Sequence, residues 1–296
     1  LSAGPTLWGS VVSTLPVHAI LPDLLAALRG ATGAVLIAPP GAGKTTAVAP
    51  ALLAENWCTG TVIMLSPRRV AARAAAERMA DLMGEKAGET VGYATRLDTK
   101  RGPKTRIVVM TEAIFVATIL ADPELAGVSA VLFDEAHERH LDSDLGLALA
   151  IESRAVLRED LRLLVMSATL DGEAVAGLLA DESGIAPIVG SSGRAYPVET
   201  QYRPLRGDEW LDAAVSRVLR EALDTHEGDV LVFLPGMSEQ QRVASRLASW
   251  VPDTVRVHVL HGSLSLADQD AALAASPAGT RKVVLSTSVA EPSLTV

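Results

Sequence analysis

Cysteine is nearly missing from this chain: Cys58 is the only one in 296 residues, which excludes an internal disulfide framework and a cysteine-rich zinc site. The six histidines are scattered without metal-ligand spacing. No apolar run approaches the ~20 residues that a membrane-spanning helix needs. No Lys or Arg precedes Arg29, so the basic start of a secretory signal is also lacking. These absences predict a soluble, cytoplasmic protein with no membrane partner. The net charge of −9 argues against a protein that holds nucleic acid by bulk electrostatics alone.

What is present is enough for a substantial core. With 49% hydrophobic and 21% charged residues the chain is of globular type, and its length suits about two domains of roughly 150 residues. Charge is unevenly spread: between Ser66 and Arg106 ten Lys/Arg face five acids. On its own, such a run reads as a solvated helix face.

The stretch from Ala38 to Thr45, APPGAGKT, organises the rest. The apolar run Val35-Leu36-Ile37 enters a Pro/Gly loop that closes on Lys44-Thr45-Thr46, which reads as strand, loop, helix. A loop of this kind points successive backbone N–H groups at an anion above a helix N-terminus. Pro40, Gly41, Ala42, Gly43, Lys44, Thr45 and Thr46 are the candidate phosphate cradle. The glycines let the backbone approach closely, Lys44 supplies a charge for the outer phosphates, and Thr45 a hydroxyl for Mg²⁺. Ala38 replaces the first glycine of the usual G-x-x-x-x-G-K-[ST] pattern, so a Gly/Pro turn with a solvated lysine is the competing explanation.

Along the chain, residues 1–13 read as a leader, 14–190 as a first α/β domain, 191–198 as a linker and 199–296 as a second domain. Pro16 to Gly30 predicts an amphipathic helix bent at Pro22, with Gly30 past its end. Short buried strands are expected at 35–38, 61–66, 107–111, 130–133 and 163–166, alternating with helices that end near 54, 83, 120, 158 and 180. The second half repeats this with helices over 209–223, 239–250 and 266–275 and strands over 230–234, 255–260 and 282–285. Such alternation implies mostly parallel sheets flanked by helices, with ligands at the carboxyl ends of the strands.

Ninety residues after Lys44, Val131-Leu132-Phe133 delivers Asp134-Glu135-Ala136-His137. A carboxylate there can hold Mg²⁺ and its neighbour can orient or deprotonate the attacking water, which assigns Asp134 to the metal and Glu135 to the water. An acidic helix cap is the alternative, and it fits Asp142 better. The next predicted strand ends in Ser167-Ala168-Thr169, whose hydroxyls can register the γ-phosphate by exchanging hydrogen bonds.

APPGAGKT, SPRRVAAR, TEAI, DEAH with Glu138-Arg139, SAT, FLPG, HGSLS and STSVAEPSLTV stand in the order of the superfamily 2 DEAH/RHA helicases, which the chain resembles from about residue 13 to 296. STLPVHAILPDLLAAL and DPELAGVSAVLFDEAHERHLDSDLGLAL are similar to the bacterial HrpB-type ATP-dependent RNA helicases. The resemblance implies tandem RecA-like P-loop NTPase domains that clamp one ATP with Mg²⁺ while single-stranded RNA, or DNA as the alternative strand, lies across both. It makes Lys44, Asp134, Glu135, His137, Ser167 and Thr169 catalytic or coupling residues. It places Arg68, Arg69, Thr111, Gly236, Ser263 and Thr287 along the RNA path, and turns the basic run into a surface for the nucleic-acid backbone. The 3% aromatic content suits backbone contact over base stacking.

Two departures matter. Pro292 stands where the family has Thr, removing an N–H and a hydroxyl, and the chain stops at Val296, before the family's Q-x-x-G-R-x-G-R motif. The 296 residues alone are therefore expected to bind ADP or ATP with Mg²⁺ and to hydrolyse it weakly. The competing functions are a P-loop phosphotransferase or GTPase, and an RNA-binding scaffold that uses nucleotide only structurally.

Overall fold

The computed structural model describes residues 15–168, 172–190, 198–261 and 264–287. The predicted leader, all of the linker but residue 198, Thr169, Ser263 and Pro292 lie outside the described residues. Two compact units divide the chain, Leu1–Tyr196 and Pro197–Val296.

In the first unit, continuous apolar runs too short for helices become buried strands. These are β1 (Gly33–Ile37), β2 (Thr61–Ser66), β3 (Val91–Ala94), β4 (Thr99–Lys100), β5 (Ile107–Thr111), β6 (Val128–Phe133), β7 (Arg162–Ser167) and β8 (Ile188–Gly190). They form one sheet in the order β4-β3-β5-β2-β6-β7-β1-β8, parallel throughout except for the β3–β4 pair. The helices are α1 (Leu21–Gly30), α2 (Lys44–Leu52), α3 (Arg69–Leu82), α4 (Glu112–Ala121), α5 (Leu141–Val156) and α6 (Gly172–Leu178).

Period-two alternation sorts the strand side chains between two cores. Leu36, Met64, Leu132 and Met166 pack with α1, α2 and α3, while Val35, Leu65, Val131, Phe133 and Val165 pack with α4, α5 and α6. Phe133 meets Phe115 of α4 edge-on, with ring centroids 5.9 Å apart, a contact worth ~0.5–1.5 kcal/mol beyond burial. It fixes the end of β6, where the acidic pair begins.

Several boundaries differ from expectation. The single bent helix from Pro16 is instead a 3-10 turn, Pro16–Ala19, followed by α1, which begins at Leu21 and keeps Gly30 inside it. Pro22 stands in the first turn of α1, where its missing N–H has no helical partner to lose, so it starts the second element and does not bend one long helix. Asp142 sits in the first turn of α5, and His140 takes the N-cap position. β3, β4 and β8 were not expected. β3 and β8 carry glycine and β4 is two residues long, so none presents a legible apolar run.

The second unit holds α7 (Leu211–Thr225), β9 (Val230–Phe233), α8 (Met237–Leu247), β10 (Val255–Leu260), α9 (Leu266–Leu273) and β11 (Arg281–Ser286). Its strands are parallel in the order β10-β11-β9. Gln240 of α8 is fully buried and donates through Nε2 to the carbonyls of Leu260 and Leu285, at 2.9 and 3.0 Å. It ties that helix to the carboxyl ends of two strands.

Candidate functional site

β1, β7 and β6 are neighbours in that order and run parallel, so the loops that leave them emerge at one edge of the sheet. The loop after β1 is Ala38 to Gly43. Ala38 N–H donates to the Ser167 carbonyl at 3.0 Å, which joins this loop to the end of β7. Gly41 and Gly43 have φ of +74° and +91°, values that side-chain-bearing residues rarely adopt. A Cβ on Gly43 would also stand 2.7 Å from Leu15 Cδ1, so a side chain there would have to displace Leu15 as well. From behind, Val17 N–H donates to the Ala42 carbonyl at 3.0 Å. Pro40 and Gly41 face solvent, whereas Ala42 is buried.

Lys44 opens α2 and is 4% exposed. Its Nζ donates to the loop carbonyls of Ala38 and Pro39, at 2.6 and 3.2 Å. Thr46 turns its hydroxyl back to the Gly43 carbonyl at 3.4 Å. Thr45 Oγ1 donates to Asp134 Oδ2 at 2.6 Å, and Asp134 Oδ1 accepts from Glu135 N–H at 3.0 Å.

Asp134 is 3% exposed. Burial pushes its carboxyl upward against the pull of Thr45, Lys44 and the Glu135 amide. A buried carboxylate facing a hydroxyl is an all-oxygen donor set, of the kind that Mg²⁺ prefers, and a cation there would restore its charge. The residues present thus fit a nucleotide-bound Mg²⁺.

Glu135 has φ 53° and Arg139 φ 52°, left-handed positions on either side of a 3-10 turn, Ala136–Glu138. Burial first, and then the neighbouring Asp134 charge, push the Glu135 carboxyl up to about 7. His137 Nδ1 lies 3.4 Å from Glu135 Oε2 and 3.5 Å from the amide N of Ala168. One imidazole therefore stands between the second carboxylate and the Ser-Ala-Thr segment. Ser167 is fully buried at the end of β7.

The expected nucleic-acid residues are distributed between the units. Arg68 holds the N-cap position of α3, with its Nη2 3.7 Å from Glu138 Oε2, and Arg69 is exposed in the first turn of α3. Thr111 ends β5, holds the N-cap position of α4 and lines a shallow depression with Arg96, Ile114 and Thr118. In the second unit Gly236 caps α8, and Thr287 follows β11. The basic run is not one outward surface: Arg73 is 7% exposed, and Arg106 points inward to the carbonyls of Gly60 and Cys58, at 3.0 and 2.7 Å. Glu112 and Glu138, which fall within the sequence motifs but received no role of their own, and His140, which was not singled out, lie beside one another next to the site.

A phosphate-type loop and an acidic pair meeting at the carboxyl edge of a parallel sheet define a P-loop nucleotide-binding domain of RecA-like fold. Residues 19–177, more than half of the chain, match the DEAD/DEAH box helicase family, and the chain belongs to it. It is 47% identical over 285 residues to the ATP-dependent RNA helicase HrpB of Escherichia coli K12, covering 96% of this chain and 35% of that protein. It is 33% identical over 275 residues to a probable ATP-dependent RNA helicase, the DHX35 homolog of Caenorhabditis elegans, covering 88% of this chain and 37% of the other. Among solved structures, that of the E. coli DEAH/RHA helicase HrpB superposes with a TM-score of 0.87 at 47% identity, over 96% of this chain and 36% of that one. The chain thus spans about a third of the length of these relatives. Among the described residues, no helix is long and apolar enough to cross a membrane.

Proposed function

We propose that the chain is the nucleotide-binding core of an ATP-dependent RNA helicase that uses hydrolysis to move on single-stranded RNA in the cytoplasm. The observation that carries this reading is the 2.6 Å approach of Thr45 to Asp134, which brings the phosphate-type loop and the acidic pair to one place. The backbone of Pro40, Gly41, Ala42 and Gly43 cradles phosphate, and Thr46 braces the loop through the Gly43 carbonyl. Lys44 exchanges the Ala38 and Pro39 carbonyls for phosphate oxygens.

Thr45 and Asp134 would hold Mg²⁺, which when bound neutralises charge that develops on the phosphate oxygens. Glu135 orients the attacking water and takes its proton. His137, with Ser167 and Thr169, relays the state of the site to the strand end. Arg68, Arg69 and Thr111 from the first unit, and Gly236, Ser263 and Thr287 from the second, contact the RNA backbone.

The test is ATP hydrolysis by the native protein with and without single-stranded RNA. Stimulation that disappears in Lys44→Ala and Glu135→Gln supports the reading. Nucleotide binding with no RNA-stimulated hydrolysis favours a scaffold, and phosphoryl transfer to a small acceptor favours a phosphotransferase.

A further inference from the structure

Beside the nucleotide site, polar side chains from separate segments form a continuous run. Arg68 Nη2 lies 3.7 Å from Glu138 Oε2, and the same oxygen is 3.2 Å from His140 Nε2. On the other side of the imidazole, Nδ1 is 3.3 Å from Glu112 Oε2. Glu112 opens α4, is 6% exposed and also accepts from Ser143 in the first turn of α5. Burial pushes the Glu112 carboxyl upward, while its contacts with His140 and Ser143 pull the other way. Glu112 from α4 and Glu138 from the 3-10 turn face His140, Arg68 lies behind Glu138, and Asp142 in the first turn of α5 acts on Glu112; Asp144 is engaged by Arg139 at 2.8 Å.

The position of this clamp matters. Glu138 ends the turn that begins after Glu135, and both Glu135 and Arg139 are left-handed. Non-glycine backbone of this kind is strained and persists only where its surroundings hold it. His140 grips the far end of the turn through Glu138, and the near end carries the carboxylate assigned to the water. Its other grip, Glu112, follows Thr111 directly, and Glu138 pairs with Arg68.

We propose that His140 is a positioning residue: by bridging Glu112 and Glu138 it joins the start of α4, the Arg68 side chain and the turn behind Glu135 into one body, so that RNA engagement at Thr111 and Arg68 reaches the hydrolytic carboxylate. This rests on the helicase reading above. His140 touches neither nucleotide nor RNA in this account, and acts through the segments it connects.

The test measures three quantities in the native protein with polyuridylate as the RNA: the basal ATPase rate, the maximal stimulated rate and the half-saturating RNA concentration. In His140→Ala and in Glu112→Gln, the expected result is a roughly tenfold fall in the stimulated rate, within the usual range of site-to-site coupling. The basal rate and the half-saturating RNA concentration should stay within about twofold, and the double variant should be no worse than either single one, as expected for residues that act as a unit.

A stimulated rate within about twofold of wild type in both single variants, where additive effects would be of that size, overturns the proposal and leaves the helicase reading intact. Loss of basal rate, stimulation and RNA affinity together also overturns it, because that is the signature of a merely structural contact. If the wild type shows no RNA stimulation at all, both the proposal and the helicase reading fail.

Discussion

Thr45 Oγ1 and Asp134 Oδ2 stand 2.6 Å apart, although the strands that deliver them, β1 and β6, are separated in the sheet by β7. Residues 89 positions apart in sequence thus share one hydrogen bond. That bond joins a buried carboxylate to a hydroxyl at the mouth of the phosphate-type loop, where a divalent ion would be held by both oxygens.

Glu135→Gln is expected to lower hydrolysis by roughly 10²–10⁴-fold, the usual contribution of a positioned base. Nucleotide affinity should be retained, since the amide keeps the shape of the carboxyl group. Single-turnover hydrolysis alongside equilibrium binding of a fluorescent nucleotide separates the two.

The same carboxyl gives a pH signature. With Glu135 pushed up to about 7, the base form that accepts a proton from water is lost as pH falls through that value. The acid limb of the kcat/KM profile should therefore lie near 7 in the wild type, because kcat/KM reports groups of the free enzyme. A raised carboxylate also weakens the fold where it is charged, fully so above its folded value and not at all below the ordinary glutamate value. Glu135→Gln should accordingly raise the melting temperature above neutrality and leave it unchanged in acid.

Asp181 behaves in the opposite sense. Burial alone would raise it, but Oδ1 accepts from the Ser183 hydroxyl and amide, and Oδ2 from the Thr32 hydroxyl and amide, which together hold the carboxyl well below the ordinary range. Its stabilisation is complete above the ordinary aspartate value and is lost as pH falls through the depressed folded value. Asp181→Asn should lower stability at neutral pH and flatten the acid side of the unfolding profile, as read by denaturant titration.

Arg106 separates the structural from the outward members of the basic run. Its guanidinium donates to the carbonyls of Gly60 and Cys58, and charge-assisted bonds of this kind are worth about 2 kcal/mol. Arg106→Met should destabilise by about that amount, whereas Arg101→Met, at an exposed position, should stay within ~0.5 kcal/mol. Chemical denaturation of the two variants checks both.

The parallel sheet and the loop-plus-acid site were legible because their signals are local. Val35 to Ile37 and Val131 to Phe133 are unbroken apolar runs; the Gly-Lys loop lies within seven residues of the first, and the carboxylates follow the second directly. β4, with only Thr99 and Lys100, carries no such signal, since its pairing comes from the register with Tyr93 and Ala94. The Glu112–His140–Glu138 contacts were not legible either. Each residue alone is an ordinary polar residue at a helix start or in a turn, and only the packing of α4 against the loop before α5 makes them neighbours. Arg106 was misread for the same reason, because charge counting along a segment does not tell which side chains turn inward.

The most direct test of the account is a double-mutant cycle on Mg²⁺-dependent ATP affinity with Thr45→Val and Asp134→Asn, measured by calorimetry with and without the metal. The account predicts that either substitution removes most of the Mg²⁺-dependent gain in affinity and that combining them adds little, because both oxygens serve one ion. Full Mg²⁺ dependence in either single variant, or strictly additive losses in the double variant, would contradict it.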